Sequence, residues 1–371
     1  MEKLSILIVG GGIGGLTSAI ALGPRGFNVE IIEKDPDWSV YGVGIIQQAN
    51  VIRAVAALGI IDDYLDAGFG YDHVEVYKPD GELAAKIPSP RLVEKYPSQL
   101  GISRPALQKV LADRAKAEGA NVRLGVVVDT FHDDGDGVDV TFSDGTSGRY
   151  DVVIGADGLY SQMRESLFPD ASKPQFAGQS VWRYNFKKPD DVVALCAYEG
   201  PIGMGLVPLS DELMYMFVTT PEPDNPRYPR EGIAAAMRAK LQAAPPRIAE
   251  LAEQITDDDG VVYKPLEWHF LDQDWHKGRV VLIGDAAHGT TPHLGQGAGI
   301  AIEDSLVLAE ELENAKTVEE AFAGFQERRF ERCKYIVESS VAICNGQLGF
   351  GPRVDQAKAT ADMFRVTAEP L

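Results

Sequence analysis

Ile6-Leu-Ile-Val-Gly-Gly-Gly-Ile-Gly-Gly15 is the stretch that decides the fold of this chain. Its four apolar residues predict a buried strand, its glycines predict a tight turn, and the apolar residues that follow recur at helical spacing. Gly10, Gly12 and Gly15 fill the three positions of the G-x-G-x-x-G pattern. In this pattern the first glycine permits the turn, the second lets the backbone approach a pyrophosphate, and the third lets helix and strand pack closely. The backbone N–H groups at the start of the helix would then face the anion.

The next segment strengthens this prediction. Val29-Glu-Ile-Ile-Glu33 reads as a second strand and ends in an acid eighteen residues after Gly15. An acid at this place can accept a hydrogen bond from a ribose hydroxyl. The alternative is a glycine-rich turn next to a surface glutamate. We predict a dinucleotide site whose contacts here are Gly10, Gly12, Ile13, Gly14, Gly15, Glu33 and Lys34.

Composition limits the class of protein. The 371 residues include 35 Lys and Arg against 55 Asp and Glu, a formal net charge of −20. Such a charge argues against binding of nucleic acid or an anionic membrane. The start of the chain has no basic region, and no apolar run is long enough for a membrane span. An odd number of cysteines without a C-x-x-C pair fits a reducing compartment, so we predict a cytoplasmic protein; these are Cys196, Cys333 and Cys344.

The order of the predicted elements indicates two lobes. We predict an α/β, Rossmann-like nucleotide-binding lobe from residues 1–70, 101–173 and 274–345. A mostly antiparallel sheet lobe of the α+β type, made from residues 71–100 and 174–273, is inserted into it. One strand is predicted over Val122–Asp129 and a long helical segment over Ala298–Cys344, with a break near residue 315. Residues 346–371 are predicted to form a C-terminal tail.

Two further motifs follow predicted buried strands. Asp157-Gly158 ends one strand, and Gly284-Asp285 ends another. Open α/β sheets bind ligands at the carboxyl ends of their strands, so both aspartates are candidate ligand contacts. A helix cap is the alternative for Asp285. Gly295-Gln296-Gly297 then opens a helix, where free N–H groups and the positive end of the helix dipole would favour a negatively charged ligand group.

In this order the motifs resemble those of the single-component FAD-dependent aromatic hydroxylases, the group of para-hydroxybenzoate hydroxylase and salicylate hydroxylase. The resemblance covers nearly the whole chain and is strongest in residues 6–33, 150–168 and 278–310. It implies FAD in the glycine-rich fold, Arg104 on the flavin side and Asp285 at the ribityl chain. It also implies that Asp157 and Gly158 serve both FAD and a transient NADH or NADPH. The remaining predicted cofactor contacts are Gly44, Val127, Gly284, Pro292, Gly295, Gln296 and Gly297.

The reaction implied by the resemblance is a hydroxylation. NADH or NADPH reduces FAD, O2 adds to give a flavin C4a-hydroperoxide, and the oxygen passes to a small aromatic or heteroaromatic ring. Phenols, aromatic acids and hydroxypyridines are the expected substrates. The cofactor carries the difficult chemistry, while the protein positions the ring and excludes water. No metal is expected, since no clustered Cys/His ligand set is visible.

Three residues are the candidates for the substrate side. Arg183 could pair with a carboxylate or phenolate, or could form a salt bridge at the surface or between the lobes. Tyr215 lies in an alternating strand and could meet the substrate hydroxyl, or could be a core tyrosine that needs a partner for its hydroxyl. His293 adjoins the glycine loop and could hydrogen-bond a ring hydroxyl or nitrogen.

Other reactions and classes stay open at this point. A halogenase would be expected to carry W-x-W-x-I-P, whereas Trp182 is followed by Arg-Tyr-Asn. Epoxidation or Baeyer–Villiger oxidation would suit the same fold. A non-catalytic nucleotide-binding protein would leave the loop at Gly295–Gly297 without a purpose. The protein is expected to act as a monomer or homodimer.

Overall fold

The computed structural model describes residues 3–40, 42–200 and 202–371. Its helices, in chain order, are α1 Ile13–Leu22, α2 Ala49–Ala57, α3 Ile61–Ala67, α4 Arg104–Ala117, α5 Gln162–Leu167, α6 Ile233–Lys240, α7 Pro246–Glu253, α8 Asp285–His288, α9 Gly297–Asn314, α10 Val318–Leu348 and α11 Gln356–Ala368. Its strands are β1 Ser5–Val9, β2 Asn28–Glu33, β3 Gly44–Gln47, β4 Gly68–Tyr71, β5 His73–Tyr77, β6 Leu83–Pro88, β7 Gln99–Ser103, β8 Asn121–Leu124, β9 Val128–Asp133, β10 Val138–Phe142, β11 Ser147–Tyr150, β12 Val152–Gly155, β13 Gln175–Lys187, β14 Leu195–Tyr198, β15 Gly203–Pro208, β16 Leu213–Pro221, β17 Val262–Trp268, β18 His276–Lys277 and β19 Val280–Leu282. Among these helices none is long and apolar enough to cross a membrane.

A six-stranded sheet in the order β18-β19-β12-β1-β2-β8 forms the first layer. Its strands pair in parallel except for β18 with β19. Residues Ile6–Val9 are buried, as expected for a parallel strand covered on both faces. The carboxyl ends of β1, β2, β12 and β19 therefore lie along one edge, where the glycine turn and both aspartate motifs follow. The α/β, Rossmann-like prediction is confirmed.

A seven-stranded sheet in the order β17-β13-β16-β15-β14-β5-β6 forms the second layer. All of its pairs are antiparallel except β14 with β5. Trp182 and Met216 on one face pack with apolar residues of α6 and α7. Because side chains alternate along a strand, Arg183 and Tyr215 lie on the opposite face. The mostly antiparallel sheet predicted from the sequence is confirmed.

A small sheet in the order β3-β7-β4, which the sequence did not suggest, lies between these two layers. A β-carbon at Gly101 of β7 would be 2.0 Å from the carbonyl oxygen of Pro208, at the end of β15. The small sheet therefore abuts the seven-stranded sheet directly. Gly44 of β3 pairs with Ser103 of β7, which places the start of α4 beside the loop before β3.

The single strand predicted over Val122–Asp129 is wrong. Two strands occupy this segment: β8 extends the six-stranded sheet, whereas β9 joins β10 and β11 in a separate three-stranded sheet. Gly125 separates them with φ +72°, a left-handed conformation that favours glycine. Val127, in the connection, exchanges hydrogen bonds of its N–H and C=O with Ser143.

The long C-terminal helical segment is confirmed as α9 and α10, with a break at residues 315–317. Thr317 caps α10 by accepting a hydrogen bond from the N–H of Glu320 at 3.1 Å. The residues predicted to be a tail contain α11, which packs on α10 and α2. Arg332 of α10 donates to the carbonyls of Thr367, Glu369 and Pro370, so α11 is held at its carboxyl end.

Candidate active site

The glycines of the first turn have two different surroundings. A β-carbon at Gly10 would be 2.4 Å from the carbonyl oxygen of Ala156, and one at Gly15 would be 1.9 Å from that of Gly10. Backbone atoms therefore leave no room for a side chain or a ligand at Gly10 and Gly15. A β-carbon at Gly12, in contrast, would meet no atom of the described residues within 4 Å. No side chain caps α1, which starts at Ile13. The turn therefore offers an open backbone face and free N–H groups, as a pyrophosphate requires.

Glu33 borders this turn at the end of β2. Its carboxylate accepts hydrogen bonds from the N–H of Gly11 at 2.8 Å and of Asp35 at 2.9 Å. Each carboxylate oxygen can accept more than one hydrogen bond, so both remain able to accept from a ribose. Lys34 is exposed beside it. The structure thus brings the predicted ribose contact and the glycine turn together.

The loop after β12 is organised by Asp157. Its carboxylate accepts from the hydroxyl of Ser161 at 2.6 Å and the N–H of Met163 at 3.0 Å. Burial raises the pKa of Asp157, and these hydrogen bonds counteract the rise. Gly158 follows with φ +80° and open space at its α-carbon. Arg164 donates to carbonyl oxygens at 2.8 and 2.9 Å and so links this loop to α8.

Asp285 opens α8 and lies near Arg104, in the region between the six-stranded and seven-stranded sheets that we call the cleft. Its side chain is exposed, yet protein surrounds it closely enough that burial raises its pKa, while His288 and Arg104 act in the opposite direction. No hydrogen bond to its carboxylate comes from the described residues. Gly284, with φ +58°, donates its N–H to Asp304 at 2.9 Å and so fixes the turn. A carboxylate placed in this way is free to bind a ligand hydroxyl.

A buried charge cluster, which sequence reasoning missed, supports this turn from behind. Asp304 accepts from His288 Nε2 at 2.7 Å and from Arg329 Nε at 2.8 Å. Against the opposing effect of burial, these cations hold the pKa of Asp304 at about 2, and the carboxylate in turn raises that of His288. Although His288, Asp304 and Cys333 lie close together, Arg329 supplies the positive charge there. The acidic pair at residues 303 and 304, inside an apolar helix, was the signal for this cluster.

The start of α9 presents its backbone to the cleft. Gly295 is left-handed with φ +66°, and α9 has no side-chain cap. The side chain of Gln296 is buried and exchanges two 3.0 Å hydrogen bonds with Asn50. Gln296 therefore contributes only its main chain to the cleft, while Pro292 starts the short 3-10 turn that leads there.

His293 is held by neighbouring side chains. Its Nε2 lies 3.0 Å from Gln179 Oε1, and its Nδ1 lies 3.0 Å from the hydroxyl of Thr291. Gln179 donates its amide to Gln347 at 3.0 Å, so its oxygen faces the imidazole and accepts from Nε2–H. Burial lowers the pKa of His293 to about 4. The ring is therefore neutral near pH 7 and has both nitrogens engaged.

Arg183, Tyr215 and Arg104 form the opposite wall of the cleft. Tyr215 is 4% exposed, and burial raises its pKa while both guanidinium groups draw it down. Within the described residues neither arginine side chain has a carboxylate within 4.0 Å, and the Tyr215 hydroxyl has no hydrogen-bond partner. Burial also lowers the pKa of each arginine, and the two repel one another. The cleft thus concentrates positive charge around one phenol.

The loop before β3 approaches this wall closely. A β-carbon at Gly44 would be 2.8 Å from Cδ1 of Tyr215, and one at Gly42 would be 2.7 Å from Cδ of Arg104. Gly42 also has φ +109°. Gly44, predicted as a cofactor contact, thus makes room for the ring of Tyr215. Tyr41, which precedes Gly42, lies outside the described residues.

Comparison with known proteins gives a consistent result. A family model described as FAD binding domain matches residues 3–339. The chain is 29% identical over 361 residues to the putative FAD-dependent monooxygenase YetM of Bacillus subtilis, covering 95% of this chain and 96% of that protein. It is 33% identical over 355 residues to the aurachin C monooxygenase/isomerase of Stigmatella aurantiaca, covering 93% and 90%. The fold matches that of Klebsiella pneumoniae HpxO complexed with FAD and uric acid, with a TM-score of 0.84, 24% identity and coverage of 99% and 93%.

Proposed function

Since the chain belongs to the FAD-binding-domain family and is an FAD-dependent monooxygenase, we propose that it hydroxylates a small aromatic or heteroaromatic ring bearing an anionic or readily ionised group. NADH or NADPH and O2 are its co-substrates. The observation that carries this proposal is that Arg183 and Arg104 lie next to Tyr215 and, among the described residues, have no carboxylate within 4.0 Å. Asp285 attracts Arg104 only from a greater distance. Charges enclosed by protein are normally paired, so two half-buried cations without a contacting carboxylate favour a negatively charged ligand.

The protein around the cleft fits FAD. The open face of Gly12 and the uncapped start of α1 would hold the pyrophosphate, and Glu33 would hold the ribose. Asp285 would accept from the ribityl chain, and the uncapped start of α9 would face the flavin edge that becomes negative. When bound, FAD would accept two electrons from the nicotinamide and would transfer one oxygen atom of O2 to the substrate ring.

Arg183 would bind and activate the substrate through its charge. A cation next to a phenolic or enolic hydroxyl lowers the pKa of that hydroxyl, and the resulting oxyanion makes the ring richer in electrons. In a cleft shielded from water this effect is larger than at the surface. Tyr215 would exchange a hydrogen bond with the same substrate oxygen, because its own hydroxyl has no partner in the described structure.

We assign His293 a positioning role instead of a role as general base. An efficient base has a pKa near the working pH, whereas that of His293 is about 4 and both its nitrogens have partners. Through Gln179 and Thr291 it would fix the 3-10 turn against β13. The sequence left open whether His293, Tyr215 or Arg183 activates the ring. We propose that Tyr215 and Arg183 do so.

We further propose that residues 1–70, 101–173 and 274–345 form the cofactor lobe and residues 71–100 and 174–273 the substrate lobe. The glycine turn and both aspartate motifs lie at one edge of the six-stranded sheet, and Arg183 and Tyr215 lie on one face of the seven-stranded sheet. Both observations support this division. We infer that the enzyme acts in the cytoplasm, which its three free cysteines support, as a monomer or homodimer. Light scattering of the purified holoenzyme would measure its oligomeric state.

The test is a panel of hydroxylated aromatic acids, phenols and hydroxypyridines, each compared with its neutral methyl ether or ester. A true substrate should stimulate NADH or NADPH oxidation and yield a product that carries ¹⁸O from ¹⁸O2. Arg183→Gln should raise KM for the anionic member about 10–100-fold, since a charged hydrogen bond contributes roughly 1.5–3 kcal/mol. The neutral analogue should be unaffected.

Arg365→Gln is the matched control, because Arg365 is exposed on α11. If the anionic and neutral compounds respond equally to Arg183→Gln, the proposed recognition is wrong. If every compound stimulates only hydrogen peroxide formation, hydroxylation of this substrate class is wrong.

A further inference from the structure

Trp38 adopts a backbone conformation that a tryptophan rarely takes. Its φ is +51°, in the left-handed region that favours glycine, asparagine and aspartate. Such conformations persist where surrounding interactions fix them, and they concentrate at ligand sites. The loop that carries Trp38 is itself braced, because the carboxylate of Asp35 accepts from the N–H groups of Asp37 and Ser39 at 3.0 and 2.9 Å.

The side chain of Trp38 reaches the glycine turn. Its indole N–H donates to the carbonyl oxygen of Gly11 at 2.8 Å. Gln108 of α4 donates to the same oxygen at 3.1 Å, and Glu33 accepts from the N–H of Gly11 at 2.8 Å. Both sides of this residue's backbone are therefore fixed by side chains from three different segments. A β-carbon at Gly11 would lie 2.7 Å from the indole nitrogen, so the contact is direct.

The position of Gly11 gives this contact its significance. It stands between Gly10, whose α-carbon is packed against Ala156, and Gly12, whose open face leads to the uncapped start of α1. Rotation of the peptide group after Gly11 would turn the Gly12 N–H away from the anion. The indole also lies under the Nζ of Lys116, at 5.1 Å from the ring centroid. The cation–π contact holds the ring itself in place.

We propose that Trp38 is a positioning residue of the cofactor site, which holds the Gly11 peptide so that the turn is already shaped for the adenosine diphosphate half of FAD. The proposal rests on FAD binding and is independent of the substrate. It assigns a role to the loop at residues 35–39, which the glycine pattern and Glu33 do not explain. Preorganisation of this kind raises affinity by reducing the ordering that binding requires.

The test uses holoenzyme from which FAD is removed and then titrated back. Trp38→Phe keeps an aromatic ring and loses the N–H donor, so the Kd for FAD should rise about 5–10-fold, as expected for one hydrogen bond. The Kd for ADP should rise by the same factor, whereas that for riboflavin should not change. Gln108→Met, which removes the other donor to this carbonyl, should act in the same direction. Trp268→Phe, on β17, is the control.

The ADP-to-riboflavin comparison separates positioning from general damage to the fold. Unchanged Kd values for FAD and ADP in Trp38→Phe would overturn the proposal. Equal losses for ADP and riboflavin, together with a lower melting temperature of the flavin-free protein, would also overturn it, since they indicate a structural role alone. Failure of the unsubstituted protein to bind FAD would instead contradict the cofactor assignment.

Discussion

At the scale of single residues, Asp285 offers the sharpest test of the cofactor site. Its exposed carboxylate has no hydrogen bond from the described residues, so the fold does not depend on it. Asp285→Asn should weaken FAD binding by roughly 1–1.5 kcal/mol, because a charged acceptor for the ribityl chain becomes a neutral one. The flavin-free protein should keep its melting temperature. Fluorescence titration of the flavin-free protein with FAD measures the first quantity, and calorimetry the second.

Asp274→Asn is the matched control, since Asp274 is also exposed and lies in the connection before β18. Unaltered FAD affinity in Asp285→Asn would remove this residue from the cofactor site. A marked fall in the melting temperature would mean that Asp285 acts as a helix cap, the alternative that the sequence left open.

The sequence identified side chains at motif positions better than it identified their partners. Gly10 and Asp285 follow buried strands, as the motifs predicted, because each motif couples residue type to backbone geometry. The roles predicted for Gln296 and His293 stay predictions. Their partners, Asn50 and Gln179, are more than one hundred residues away, and local spacing contains no information about such contacts.

At the scale of elements, α9 and α10 are joined by buried charges. Asp304→Asn should destabilise the protein by about 3–5 kcal/mol, because His288 would remain buried without its anion and Arg329 would keep only Glu303. Glu313→Gln, on the same helix, removes an exposed ion pair with Arg25 and should change stability by less than about 1 kcal/mol. Urea unfolding of both variants measures the difference. Similar values for the two would contradict the support that we ascribe to the buried cluster.

The elements that the sequence predicted are those with a local signal. Ser103 and Pro105 are residue types that favour a helix start, and the Ser103 hydroxyl accepts from the N–H of Ala106 at 3.2 Å at the start of α4. The small sheet of β3, β7 and β4 has strands of four or five residues, and β3 pairs with β7 across more than fifty positions. Its existence depends on tertiary contacts, which propensity and periodicity do not report. The break at Gly125, in contrast, had a local signal, because a glycine inside a strand pattern indicates a turn or bulge.

At the scale of the whole molecule, two buried histidines make stability depend on pH in opposite directions. Burial lowers the pKa of His269 to about 4, whereas Asp304 raises that of His288 above its usual value. His288 stabilises the protein below pH 6.5 and loses this contribution as the pH rises through its folded pKa. His269 must be neutral in the folded state, so its contribution is lost on the acid side. Stability should therefore be greatest near neutral pH.

The acid side can be tested through His269, which is 1% exposed and packed where β17 meets the segment after α8. In the unfolded chain His269 is protonated below about pH 6.5, whereas in the folded protein it stays neutral down to about pH 4. The free energy of unfolding therefore falls between these two pH values. The interval corresponds to at most roughly 3 kcal/mol. In His269→Gln the fall in the free energy of unfolding between pH 7 and pH 5 should be about half of that in the wild type. The other half remains because His293 has a similar pKa. Urea unfolding at pH 7, 6 and 5 measures the decline, with the exposed His132→Gln as control. An unchanged decline in His269→Gln would show that this imidazole does not resist protonation in the folded protein.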